Sequence, residues 1–264
     1  MFNLEAGIYH NFILGNGLIV HNSNQIPHGK VYVPGVGDYQ VEYAPFKGVE
    51  NPKTYTIEQL TDPTLPWDIA RFKGSPEWGA TGQGAIESQV TFPDRFSWQN
   101  QFFLDNRGVI TSFADIGPAV PCYAITTQEV RVILPLSAEV WAVDVLSPPP
   151  AGLGNVRFVK QSIVASPLTK KFKAIRMAHM AGYLSVDDAK TALQNVDSSL
   201  EMGGYLMDHN MIYQKTPNGF KEVAVRDSAH PLSPTPFSLI WSSKCNSCVI
   251  GRGSKIITQI PSGD

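Results

Sequence analysis

Cys245 and Cys248 are spaced as a Cys-x-x-Cys pair, an arrangement that lets two thiolates reach one metal ion. His230, with His209 as the fourth donor, would complete a tetrahedral zinc site. The same pair also reads as two buried thiols, or as a disulfide formed after export. Cys122 is a candidate nucleophile for a protease or glutamine deamidase, given a histidine brought beside it by folding; His179, His209 and His230 are available. Its alternative role is that of a small buried hydrophobe between Pro121 and Tyr123. Asp208-His209-Asn210, with basic residues nearby, offers the general base and phosphate-charge stabilisation that a nuclease needs. A zinc nucleotide deaminase is disfavoured, because neither His209 nor His230 begins a His-x-Glu motif and Lys244 precedes Cys245 where proline is usual.

Short elements must position these residues. The 20 prolines and 22 glycines are spread along the chain, which favours many short strands and turns over long helices. Alternating or β-rich stretches predict strands over Val31–Val33, Gln40–Tyr43, Ile86–Phe92, Gly108–Thr111 and Glu129–Leu134. A helical pair is expected next. Ser166 is an N-cap followed by Pro167 at the first helical position, and Gly182 closes that helix. Leu168, Phe172, Ile175 and His179 would share its apolar face, with Lys170, Lys171, Lys173 and Arg176 solvated. Ser185 then caps a second helix over Val186–Val196, with Asp187 and Asp188 in its favourable first turn. Met211–Gln214 and Phe220–Val225 flank Pro217-Asn218-Gly219 as a β-hairpin. The expected fold class is α+β: a β-rich N-terminal lobe, then a helical pair and a further β-hairpin region.

The chain has 264 residues, 43% of them apolar and 17% charged, which is ordinary for a globular protein. No apolar run reaches the roughly 18 residues that span a bilayer. No signal peptide is expected, since Met1-Phe2-Asn3-Leu4-Glu5 lacks a positive start. The net charge of −2 conceals an asymmetry: residues 24–151 carry 8 basic against 14 acidic side chains, and residues 152–264 carry 13 against 8. The switch coincides with Ser147-Pro148-Pro149-Pro150-Ala151-Gly152, a linker-like run that fits neither a helix interior nor a central strand. Three parts are therefore expected: residues 1–22, a β-rich lobe over 23–147 and a basic α+β lobe over 152–264.

In the first part, Phe12-Ile13-Leu14 and Leu18-Ile19-Val20 flank Gly15-Asn16-Gly17, a hairpin signal. The stretch ends on His21-Asn22-Ser23 and resembles the close of Hint (intein-type) domains that precede the cargo of bacterial polymorphic, Rhs-like toxins. The resemblance implies cleavage after Asn22. The Asn22 side-chain amide would attack its own carbonyl, His21 would act as general acid, and Ser23 would begin the product. The N-terminal Hint block with its nucleophile is absent, so the segment reads as the last piece of a larger protein. It further implies a secreted effector delivered into a target cell, a delivery apparatus in the parent protein and a cognate immunity protein as partner. The competing class is a non-catalytic extein domain.

For the cargo, one set of residues resembles ADP-ribosyltransferases, which would make NAD the substrate; the sequence names no cofactor. Arg71 in Ile69-Ala70-Arg71-Phe72 would grip NAD, and Ser112 in Ile110-Thr111-Ser112-Phe113 would lie on the second strand. Glu129 or Glu139 would be the acid that stabilises the oxocarbenium ion. The full Ser-Thr-Ser motif of that family is missing, and its paired acid motif survives only as Glu129-Val130-Arg131.

Overall fold

The computed structural model describes residues 11–13, 19–21, 29–33, 37–62, 96–118, 120, 124–148, 152–178 and 184–227. Two small hairpins come first. β1 (Asn11–Ile13) pairs antiparallel with β2 (Ile19–His21), and β3 (Lys30–Val33) with β4 (Gly37–Gln40). The first is the hairpin that its glycine-flanked Asn-Gly turn predicts.

The body is one nine-stranded mixed sheet. Its parallel part is built from β7 (Ser112–Ile116), β8 (Glu139–Asp144), β9 (Arg157–Lys160), β10 (Phe172–Arg176) and the first part of a hairpin, β11 (Leu200–Met207). In space these run β9-β8-β7-β10-β11, every neighbouring pair parallel. Antiparallel strands extend the sheet beyond β11: β12 (Met211–Thr216), β13 (Gly219–Arg226), then β5 (Phe46–Gly48) and β6 (Thr54–Tyr55) on β13. β8 and β9, which flank the proline run, are sheet neighbours.

Parallel strands need crossovers, and here helices within and outside those crossovers cover both faces of the sheet. On one face lie α2 (Ser97–Asp105) and α3 (Ile125–Ile133), where Phe103, Val130 and Ile133 join Phe113, Val140 and Ala142 in one core. On the other lie α1 (Ile57–Leu60) and α4 (Val186–Ser199), where Leu60, Ala192, Leu193 and Val196 pack on Ala114, Trp141 and Ile175. Successive residues of β7 and β8 alternate between the two cores, as the two-residue period of a strand requires. Taking β7 as the first strand, the order 3-2-1-4-5 is that of the doubly wound, Rossmann-type sheet.

This architecture overturns the expected β-rich lobe followed by a helical pair. The first expected helix does not form. Phe172, Ala174, Ile175 and Arg176 are buried in β10, between β7 and β11, where both faces need apolar cover. Its supposed cap, Ser166, instead receives a hydrogen bond from the Gln161 amide. The strand expected over Glu129–Leu134 is the second half of α3. Val130 and Ile133 there are three apart, which places both on the sheet-facing side of one helix turn. The strand expected at Gly108–Thr111 starts instead at Ser112. The second helix and the final hairpin form where their local signals place them: Ser185 accepts from the Asp188 amide at 3.1 Å, and β12 pairs with β13 across residues 217–218.

Candidate functional site

In an open doubly wound sheet, ligands bind beyond the carboxyl ends of the strands, at the point where consecutive crossovers leave in opposite directions. Here that point lies between β7 and β10: the crossover from β7 carries α3 on one face, and the one from β10 carries α4 on the other. Three aspartates and an arginine are spaced along this edge.

Asp115 and Arg176 are register partners across β7 and β10. The Arg176 Nε donates to Asp115 Oδ1 at 3.0 Å, and the second arm of the guanidinium reaches Oδ2. Thr127, in the first turn of α3, donates to Oδ2 at 2.7 Å, with Thr126 at 3.4 Å. The Arg176 side chain is 0% exposed and lies 4.5 Å from the Phe96 ring centroid and 5.3 Å from that of Phe113. Such a pair holds two strands and a helix in register, because either charge left alone there would be strongly disfavoured. Asp115 is thereby fully engaged within the protein.

Asp144, at the end of β8, is arranged differently. Its Oδ1 accepts the Leu146 amide at 2.9 Å and its Oδ2 the Val120 amide at 3.2 Å. Burial pushes its pKa up from the ordinary 3.8, against these amide bonds, with the Asp115 charge adding to the rise. The Val145 amide bonds Asp144 as well, and since an ionised carboxylate has about four lone-pair sites, one acceptor position remains for a ligand. Between the two acids the chain turns at Gly117, whose φ of +66° suits glycine and whose amide bonds the Val143 carbonyl at 2.8 Å. The segment Gly117-Pro118-Ala119-Val120-Pro121 has one glycine where the dinucleotide fingerprint has three. The third aspartate, Asp208, follows β11; its Oδ1 accepts the amides of Asn210 and Met211.

Of the residues singled out from sequence, the structure brings His209 to this edge, after β11, with its ring edge-on to Phe96 at 6.2 Å. Ser112 and Glu139 are neighbours across β7 and β8, but at the opposite, amino edge, roughly 13 Å away along the strand. The Ser112 hydroxyl accepts the Lys173 amide at 2.9 Å. Glu139 is bonded by Lys170, which with the Trp141 indole and nearby Arg157 lowers its pKa. Glu129 lies inside the packing of α3 on α2, 3.3 Å from the Asn100 amide. His21 belongs to β2. Asn22, Ser23, Arg71, Cys122, His230, Cys245 and Cys248 lie outside the described residues. Among the described residues, no three His, Cys, Asp or Glu side chains are grouped to hold a metal ion, and no helix is long and apolar enough to cross a membrane.

No protein family and no curated protein matches the sequence. Solved structures do match. One is the N-methyltransferase NodS from Bradyrhizobium japonicum in complex with S-adenosyl-L-homocysteine, at 16% identity and a TM-score of 0.32, covering 58% of this chain and 69% of that one. Another is an S-adenosylmethionine-dependent methyltransferase from Clostridium acetobutylicum, at 12% identity and a TM-score of 0.39, covering 64% and 86%. A third is CalS10, an amino pentose methyltransferase from Micromonospora echinaspora, at 16% identity and a TM-score of 0.36, covering 49% and 54%. The body of the chain is a doubly wound sheet, not the β-rich cargo that the Hint resemblance led to, and the Hint and toxin-cargo reading is corrected on that ground. With it go the ADP-ribosyltransferase, nuclease and cysteine-protease assignments. A fold hosts many activities, so function is argued from the edge residues themselves.

Asp115, Asp144 and Arg176 were not among the sequence candidates. Their signal was present: Ser112–Ile116 and Glu139–Asp144 are apolar runs that each carry an aspartate at or next to their carboxyl end, with a helix-length segment between them.

Proposed function

We propose that the carboxyl edge of the parallel strands binds S-adenosylmethionine and that the protein is a methyltransferase. The observation that carries this is Asp144: a buried carboxylate at the end of the strand next to the first, with acceptor capacity left over, beside a left-handed glycine turn. That is where a doubly wound sheet holds a ribose diol. The single glycine favours an adenosyl ligand over a dinucleotide, because a pyrophosphate would need the close backbone approach that further glycines permit. Pro118 also removes an amide donor from that turn.

The residues fit such a ligand. Asp144 would accept one ribose hydroxyl, and the turn at Gly117 would let the chain pass close to the ligand. Asp115, held by Arg176, Thr126 and Thr127, would keep that turn in place. The cofactor, when bound, supplies an electrophilic methyl group. His209, on the same edge, is the candidate base for the proton of the methyl acceptor.

Calorimetric titration tests this with S-adenosylhomocysteine and NAD as ligands. Wild-type protein is expected to bind the first and not the second. Asp144→Ala should weaken binding by roughly 10- to 100-fold, the worth of hydrogen bonds to a charged acceptor. Preference for NAD, or undiminished affinity in the variant, overturns the reading.

A further inference from the structure

A cavity lies away from the carboxyl edge, between β3, the C-terminal half of α3 and the chain that enters β9. Its volume is about 370 Å³, within the range of small-molecule sites. Two of its described lining residues are cationic, Lys30 and Arg131, and none is acidic. Gln128 and Asn155 add amide groups, and Val31, Val132 and Leu153 are among its apolar walls.

Arg131 is the unusual member. The residue is 9% exposed, yet it has no carboxylate partner among the described residues. Its terminal nitrogens donate to the carbonyls of Leu134, Pro135 and Ala138, which ties down the end of α3. Its Nε–H is buried and has no hydrogen-bond partner among the described residues. Burial lowers its pKa, as expected for a guanidinium with nothing negative nearby. Carbonyls and the negative end of the helix dipole offset part of this cost, but neither occupies the Nε position. The contrast with Arg176 is direct: that buried arginine has its aspartate. At the mouth, Gly152 and Gly154 take positive φ, and a Cβ on either would meet nothing within 4 Å, so backbone without side chains frames the opening.

We propose that this cavity binds a small organic carboxylate, its head group on Arg131 with help from Lys30 and its apolar body against Val132 and Leu153. The site is independent of the cofactor edge, since Arg131 sits near the C-terminus of α3 and Thr126 and Thr127 of that edge sit at its N-terminus.

The test follows the Arg131 Nε–H resonance by ¹H–¹⁵N NMR, assigned by its loss in Arg131→Gln, while hexanoate is titrated into the full chain. Inorganic phosphate and hexanol serve as second and third probes. A saturable shift of that resonance with hexanoate and not with hexanol is expected. Lys30→Glu, an exposed change that leaves the core intact, should weaken hexanoate by about threefold or more. Saturable binding of phosphate alone would reassign the site to phosphorylated ligands and overturn the carboxylate proposal. An unmoved Nε–H resonance at 20 mM hexanoate (about the weakest useful affinity) overturns the site altogether and leaves Arg131 as a helix-end clamp.

Discussion

The Asp115–Arg176 pair offers the most direct check on how the candidate site is held. Both side chains are essentially sealed from solvent, at 4% and 0% exposure. Asp115→Ala would leave the Arg176 guanidinium buried with the Gln99 side-chain oxygen at 3.5 Å and two aromatic rings. Those ring contacts exist in both proteins, so they do not offset the loss. Breaking a buried pair from one side costs about 3–5 kcal/mol. Arg176→Met strands Asp115 in the same way, but Thr126 and Thr127 still donate to it, so its cost belongs at the lower end of that range. The double variant Asp115→Leu/Arg176→Met removes both charges at similar volume and should lie within about 2 kcal/mol of wild type. Urea denaturation followed by circular dichroism measures all four proteins, with an unchanged slope as the sign of an unchanged unfolding reaction. The expected outcome is strong coupling, with the double variant more stable than either single one. Single costs under about 1 kcal/mol that simply add would refute the argument that this pair fixes β7 to β10.

Three further outcomes follow from the same physics. Asp144 has a pKa raised in the folded state, so the fold binds its proton more tightly than the unfolded chain does, and stability falls as pH rises above the ordinary 3.8. The stability of wild type relative to Asp144→Asn should therefore decline over that window in a pH series of denaturation curves, and a flat difference would contradict it. Tyr43 has its pKa pushed up to about 12 by burial and by Glu129, so its phenol should ionise about two units late in an ultraviolet titration. Stability should fall between pH 10 and 12 and fall less in Tyr43→Phe, the remainder coming from Tyr55, which is also raised. Gly219 has a φ of +122°, and a Cβ there would collide with the Tyr55 carbonyl oxygen, so Gly219→Ala should lose about 2–4 kcal/mol by thermal or urea unfolding.

The parts of the fold legible in the sequence are those set by local chemistry. Ser185 followed by Asp187 and Asp188 caps α4 whatever surrounds it, and Pro217-Asn218-Gly219 turns the chain between β12 and β13 by backbone preference alone. β10 was not legible for the opposite reason. Leu168, Phe172 and Ile175 recur at spacings of four and three, and Ser166-Pro167 precedes them as a helix start would, so every local signal favours a helix. What decides the matter is two neighbouring strands, β7 and β11, whose hydrogen-bonding edges would otherwise be buried without partners. Partners more than 60 residues away in sequence, as Asp115 is from Arg176, leave no periodic trace in the strand itself.

The candidate site was legible only as two strand-end aspartates, because its residues act singly, each at or near the end of a different strand. No motif joins Asp115, Asp144 and Arg176, and the glycine fingerprint that would have marked the turn is reduced to Gly117. Arg176 misled most. On an amphipathic helix a fourth cation beside Lys170, Lys171 and Lys173 reads as solvated surface. Placed on a strand buried on both faces, the same residue demands a carboxylate within reach, and the register supplies one directly opposite on β7. The assignment of a single segment as helix or strand therefore decides whether its arginine is decoration or the pin of the switch point. Reassigning β10 moves the functional argument from the amino-edge residues Ser112 and Glu139 to the carboxyl edge.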